Sequence, residues 1–176
     1  GTQNSKMVTI EDCQFNKAVT IVVKGGSETI VDEAHRCIHD ALCVVRNMIK
    51  DPRIVYGGGA SEISSSLILN SWADSISSTE QYAIRGFADA LEQIPVCLAD
   101  NSGYSGIEYV ANLKAQQAKE NNPYLGVNCL RKDTNNMKLQ NVYESLSLKK
   151  QQVQLATQVV KMILKIDDVI ESHDYR

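Results

Sequence analysis

The run Gly57-Gly58-Gly59 follows an apolar, strand-like stretch, Arg53-Ile54-Val55-Tyr56, and precedes a segment of helical period that begins near Ala60. Glycines let a backbone come close to a nucleotide, and a helix start offers unpaired N–H groups to an anion. The same three residues also suit a tight turn between elements. The spacing is neither G-x-G-x-x-G nor G-x-x-x-x-G-K-[ST], so it does not separate these two readings. Asp40 shares a polar helical stripe with Glu33, Arg36, Cys43 and Asn47. A carboxylate there can orient a water or bind a metal, or can belong to a solvated face. His35 and His39 stand four residues apart beside Glu33 and Asp40, a spacing at which two imidazoles can share a zinc ion. A metal-dependent hydrolase built on His35, His39 and Asp40 would need a third ligand, and no H-E-x-x-H pattern supplies one. His173, in a polar tail, and the pair Asp167-Asp168 read as solvated.

Composition removes several classes. With 18 Lys+Arg against 21 Asp+Glu the net charge is −3, which lacks the basic excess of a nucleic-acid footprint. Lys149-Lys150 is too short a basic run to change that. The apolar runs fall well short of the ~20 residues that span a bilayer. The first six residues are polar, without the apolar core of a secretory signal. Cys13, Cys37, Cys43, Cys97 and Cys129 are odd in number and form no C-x-x-C pair, which points to reduced thiols and a cytoplasmic setting.

The elements that must carry these residues are mostly helical. Residues 7–13 and 18–23 are rich in Val, Ile and Thr and read as two strands, the second stopped by Gly25-Gly26. A lone ribbon of two strands is marginal in water, so this end is expected to be a remnant of a larger sheet. From Ser27 to Lys50, Ile30, Ala34, Ile38, Ala41, Val45 and Ile49 recur at helical spacing, with Ser27 as cap and Asp51-Pro52 as stop. A helix from Ala60 carries Ile63, Leu67, Ile68 and Trp72. Another starts at Ser77–Glu80 with capping-box spacing and a core face of Tyr82, Ala83, Phe87, Ala90, Leu91 and Ile94. Pro95 ends it or opens a short helix that closes at Asn101-Ser102-Gly103. Met48, Met137 and Met162, with Trp72, Tyr82 and Phe87, read as core or interface filling. Residues 106–120 predict one more helix, 121–148 an irregular stretch, 149–165 a last helix on Val153, Ala156, Val159, Val160 and Ile163, and 166–170 a terminal strand.

An ordered set of strings then resembles a known family. It comprises Ile38-His39-Asp40-Ala41-Leu42-Cys43-Val44-Val45-Arg46-Asn47, Val55-Tyr56-Gly57-Gly58-Gly59-Ala60-Ser61-Glu62, Gln81-Tyr82-Ala83 and Phe87-Ala88-Asp89-Ala90-Leu91-Glu92-Gln93-Ile94-Pro95. Asp100-Asn101-Ser102-Gly103, Leu125-Gly126-Val127-Asn128, Lys149-Lys150-Gln151-Gln152 and Met162 through Asp168 complete it. Together they resemble the C-terminal part of a group II chaperonin, over nearly the whole chain. The fold this implies is mainly α: the C-terminal half of an equatorial-domain helical bundle at 52–176, an intermediate-domain helix at 26–51 and a β remnant of the apical domain at 1–25.

The resemblance also implies roles. Asp40 matches the carboxylate that positions the attacking water for ATP hydrolysis, on a helix able to swing over the nucleotide. Gly57, Gly58 and Gly59 match the glycine turn that lies against sugar and base, and Gly126 and Asn128 the segment that borders the adenine. Glu144 matches the acidic position that accepts from the ribose hydroxyls, although Ser145-Leu146 follows it where Pro is common in the family. The family's Gly-Asp-Gly-Thr-Thr loop, which holds phosphates and Mg2+, is absent from the 176 residues. The chain is therefore expected to be a fragment that carries the base-and-ribose half of an ATP/ADP site, with the Mg2+ ligand outside it and poor ATP hydrolysis on its own. The implied partners are the other subunits of a hetero-oligomeric double ring and unfolded clients such as actin and tubulin, with no nucleic acid and no membrane. The alternative is a non-enzymatic helical interaction module in which the glycines are purely structural.

Overall fold

The computed structural model describes residues 19–131 and 133–170. The strand expected over 7–13, the first residue of the one over 18–23, Cys13 and His173 lie outside them. The chain divides into two compact units, with the boundary between Cys43 and Val44.

Helix α1, Glu28–Lys50, crosses that boundary. It starts as the pattern predicts: the Ser27 carbonyl accepts from Val31 N–H at 3.2 Å and its hydroxyl from Ile30 N–H at 3.4 Å. At its other end Asp51 takes a two-pronged contact from Arg53, 2.9 Å from Nε and 2.8 Å from Nη2. That guanidinium holds the Asp51 carboxyl at a pKa of about 2, below its ordinary value. No residue of α1 is buried, so its apolar stripe, including Ile30, Val45 and Ile49, faces outward. Residues 19–23 are not a strand, and neither are 166–170. A strand exists only where another backbone pairs with it, and no described segment does so there.

The second unit is built on α2 (Ala60–Asp74), α3 (Glu80–Asn101) and α4 (Gly106–Glu120). Its core is Ile63, Ala99, Val110, Leu113, Leu125 and Val127. Helices α2 and α3 are joined by a hydrogen bond from the Ser66 hydroxyl to Glu92 Oε1. Ala60, Ser66, Ala73, Ala88 and Ala99 are fully buried, whereas Ile68, Trp72, Tyr82, Phe87 and Ile94 stand exposed. Of the larger apolar residues expected on these helices, Ile63 is buried in the core, while these five line open faces. Pro95 neither ends nor opens a helix: α3 runs through it, and the ring is buried. The capping box expected at its start does not form, since Thr79 precedes the helix with no side-chain bond. The end of α3 falls where predicted. Gly103, at φ +82°, donates to Asp100 O at 2.9 Å and Tyr104 N–H to Ala99 O at 3.0 Å, a Schellman closure. Asp100 then accepts from Gly106 N–H at 2.8 Å and starts α4.

The stretch expected to be irregular holds two short elements, α5 (Met137–Gln140) and β2 (Tyr143–Ser145). Asn136, part of a turn signal in the sequence, caps α5 by accepting from Lys138 N–H at 2.9 Å and Leu139 N–H at 3.3 Å. β2 pairs antiparallel with β1 (Ile54–Tyr56), with Ile54 opposite Ser145, Val55 opposite Glu144 and Tyr56 opposite Tyr143. Helix α6, Leu146–Ile163, begins three residues before its predicted start, and its stripe carries no buried residue.

Candidate functional site

Strand β1 delivers the chain into the glycine run. Gly57 N–H donates to Val142 O at 3.1 Å and prolongs the β1–β2 pairing by one residue. Gly58 and Gly59 then adopt φ +65° and +74°, a left-handed reversal that costs residues with a Cβ about 1–2 kcal/mol each. Ala60 N–H closes the turn on Gly57 O at 3.2 Å, and α2 begins. Neighbouring atoms leave no room for side chains here. A Cβ on Gly57 would stand 2.8 Å from Val142 Cγ1, on Gly58 2.6 Å from Met137 Sδ and on Gly59 2.6 Å from Pro95 Cβ. Packing within the chain thus accounts for all three glycines.

A second strand of backbone crosses the bend. Val127 N–H donates to Gly58 O at 2.7 Å, and a Cβ on Gly126 would lie 2.9 Å from that same oxygen. Gly126 and Asn128 are both buried. Asn128 Oδ1 accepts from Gln140 Nε2 at 3.1 Å, and Asn128 O accepts from the Tyr104 hydroxyl at 3.0 Å. The Tyr104 and Tyr109 rings stack at 4.5 Å behind it, and burial pushes the Tyr109 phenol pKa up. Gln117, buried on α4, locks bend and strap together. Its Nε2 donates to Leu125 O at 2.6 Å and Ala60 O at 3.3 Å, while its Oε1 accepts from the Ser64 hydroxyl at 2.9 Å.

Glu144 comes to the same place from β2. Its Oε1 lies 3.3 Å from where a Cβ of Gly57 would stand, and its Oε2 is 2.5 Å from Lys149 Nζ. That ammonium also meets Glu62 Oε1 at 2.5 Å. Glu62, in the first turn of α2, is 5% exposed, and its other oxygen accepts from the Ser61 hydroxyl at 2.8 Å. Burial works to lower the Lys149 pKa, but the two carboxylates, Glu144 foremost, outweigh it and hold the pKa above the ordinary lysine value.

The structure therefore gathers Gly57, Gly58, Gly59, Gly126, Asn128 and Glu144 around one bend. Asp40 is exposed on α1 and belongs to the first unit. His35 and His39 are exposed on the same helix, with His39 Nε2 3.7 Å from Cys43 Sγ. Among the described residues no group of three or more His, Cys, Asp or Glu side chains is placed to hold a metal ion. A groove of about 860 Å³ runs along Ser64, Leu67, Trp72 and Pro123 and includes none of the candidate residues. Sequence reasoning assigned no role to Glu62, Lys149 and Gln117, whereas Met137, expected as core or interface filling, is buried. Glu62 and Lys149 are 87 positions apart, so no local pattern betrays their pairing.

Comparison with known proteins follows the same outline. The sequence model of the TCP-1/cpn60 chaperonin family matches residues 2–174. T-complex protein 1 subunit epsilon of Encephalitozoon cuniculi is 48% identical over 99% of this chain and 33% of its own length. A thermosome subunit of Methanothermococcus thermolithotrophicus is 43% identical over 93% of the chain and 30% of its own. The open-state monomer of a group II chaperonin from Methanococcoides burtonii superposes with a TM-score of 0.68 at 39% identity, over 88% of this chain and 38% of that one. The chain spans about a third of the length of these curated relatives. Helical content, the glycine bend and these likenesses agree: the chain belongs to the TCP-1/cpn60 chaperonin family, in its group II branch.

Proposed function

We propose that this chain supplies the sugar-and-base wall of an ATP site in a cytosolic chaperonin subunit, and the carboxylate that activates water there. On this reading residues 1–25 end the apical domain, 26–51 form the returning intermediate-domain helix and 52–176 make the C-terminal half of the equatorial domain. The supporting observation is the convergence on one bend. Glu144 Oε1 lies beside Gly57 with no hydrogen-bond partner among the described residues, and the Gly126–Asn128 strap is tied across Gly58.

These residues fit a nucleotide's sugar end. A carboxylate oxygen with no donor among the described residues accepts from ribose hydroxyls. The strap, immobilised through Asn128, Gln140 and Tyr104, borders the base. Asp40, on its exposed face of α1, takes the proton of the attacking water when that helix closes. Bound ATP with its Mg2+ supplies the phosphoanhydride whose cleavage drives the ring to close around clients such as actin and tubulin. The phosphates and the metal are held by residues outside this chain.

A second reading, a helical interaction module without catalysis, draws on the exposed apolar faces of α1, α3 and α6. One experiment separates the two. In the full-length subunit, assembled with its ring partners, Asp40→Ala slows Mg2+-dependent ATP turnover by about 100-fold or more, the usual weight of a general base. ATP affinity stays within about threefold, since the variant removes no binding group. The isolated 176-residue chain shows no turnover. Undiminished hydrolysis by the assembled variant contradicts the assignment, as does Asp40-dependent hydrolysis by the chain alone.

A further inference from the structure

We infer that Lys149 is a positioning residue for nucleotide recognition: with Glu62 as its buried anchor, it fixes the Glu144 carboxylate so that one chosen oxygen faces the bend. This rests on the reading that Glu144 receives the ribose hydroxyls. Strand β2 fixes the Glu144 backbone opposite Val55, but a glutamate side chain keeps three free torsions. The Glu144 side chain is about one-third exposed and would sample several rotamers if left alone. Lys149 removes that freedom. It sits in the first turns of α6, and its Nζ engages Glu144 Oε2 at 2.5 Å.

Lys149 is itself held. Glu62 Oε1 meets the same Nζ at 2.5 Å, and the Ser61 hydroxyl holds the other Glu62 oxygen. A relay from the first turn of α2, through α6, to β2 thus closes around the glycine bend. One ammonium against two carboxylates leaves the trio one negative charge in excess. Glu62 Oε1 and Oε2 and Glu144 Oε2 are all engaged, so among the described residues the oxygen left for an incoming donor is Glu144 Oε1, the one beside Gly57. A surface salt bridge with no further role would not need a buried anchor, nor would it leave the free oxygen facing the bend.

The test compares ATP with 2′,3′-dideoxy-ATP, which lacks both ribose hydroxyls, in binding to the full-length assembled subunit. Wild type prefers ATP by about tenfold or more, the size of one charge-assisted hydrogen bond. Glu144→Gln reduces that preference to about twofold. Because Lys149→Met strands the buried Glu62 charge, the deciding variant is Glu62→Gln/Lys149→Met, with thermal melting to verify its fold. It loses the preference as Glu144→Gln does and binds dideoxy-ATP within about twofold of wild type, whereas the single variant Lys149→Arg keeps the preference. If the double variant keeps the wild-type preference while Glu144→Gln loses it, the positioning role is wrong and the ribose assignment stands. If wild type itself shows no preference, the ribose assignment fails and the positioning role with it.

Discussion

Gly59→Val lowers the stability of the chain by about 2–5 kcal/mol in urea unfolding followed by circular dichroism. Two independent terms add. The backbone at Gly59 has φ +74°, where a β-branched residue is an outlier and any Cβ costs about 1–2 kcal/mol. The new Cβ also starts 2.6 Å from Pro95 Cβ and 3.2 Å from Pro95 Cα. A proline ring is stiff, and this one is buried inside α3, so it cannot rotate away. Overpacking of such a contact costs a further 1–3 kcal/mol or so. A domain holds only about 5–15 kcal/mol in total, so the loss is a large share of it. Gly86 is the control, because a Cβ there meets nothing within 4 Å in the interior of the same helix. Gly86→Ala is expected to leave the isolated chain unchanged or up to about 1 kcal/mol more stable. A Gly59→Val protein within 1 kcal/mol or so of wild type would mean that the bend is loose, and could not hold a sugar in register.

Lys149→Met produces a loss of similar size, about 3–5 kcal/mol, because it leaves the buried Glu62 carboxylate without its cation. Glu62→Gln/Lys149→Met recovers most of that loss, since a neutral amide beside a thioether buries no charge. The pH dependence carries the same signature. The folded protein raises the Lys149 pKa, so its contribution is complete below the ordinary lysine value of 10.5 and is lost as pH rises through the folded value. Wild-type urea midpoints are therefore flat near neutrality and fall above about pH 10, and the double variant falls less steeply. Tyr109 also titrates at the alkaline end, but it does so in both proteins, so their difference isolates Lys149. Equal alkaline slopes would remove Lys149 from the stabilising network.

What was readable in the sequence divides along a physical line. Helices α1 and α4 and the Schellman end of α3 follow from local signals: period, a capping Ser27, a stopping Pro52 and a glycine at the C′ position. The glycine bend was legible as a turn, and three residues that the resemblance named from distant segments, Gly126, Asn128 and Glu144, lie beside it. The buried side of α2 was legible at Ile63, but that of α3 was not. Tyr82, Phe87 and Ile94 form an apolar face on α3, but local periodicity cannot say whether a partner covers such a face, and the fully buried residues of α2 and α3 include Ala60, Ser66, Ala73, Ala88 and Ala99. Groove residues Ala83, Phe87 and Ile94 instead look across about 590 Å³ of open space to Val153 and Val160 on α6. Helix α5 and strand β2 were invisible because four and three residues are too short to show a period. The helix-breaking reading of Pro95 failed because its ring is packed against Gly59, and tertiary burial overrode the local preference.

Photolabelling tests the central claim most directly. The full-length assembled subunit is irradiated with an azido-adenine analogue of ATP, with excess unmodified ATP as competitor, and the labelled peptides are mapped. Label in the peptides that span 124–129 or 142–149, removed by ATP and weakened in Glu144→Gln, is the predicted result. Competed label confined to peptides that contain none of the bend, the strap or Glu144 would contradict it.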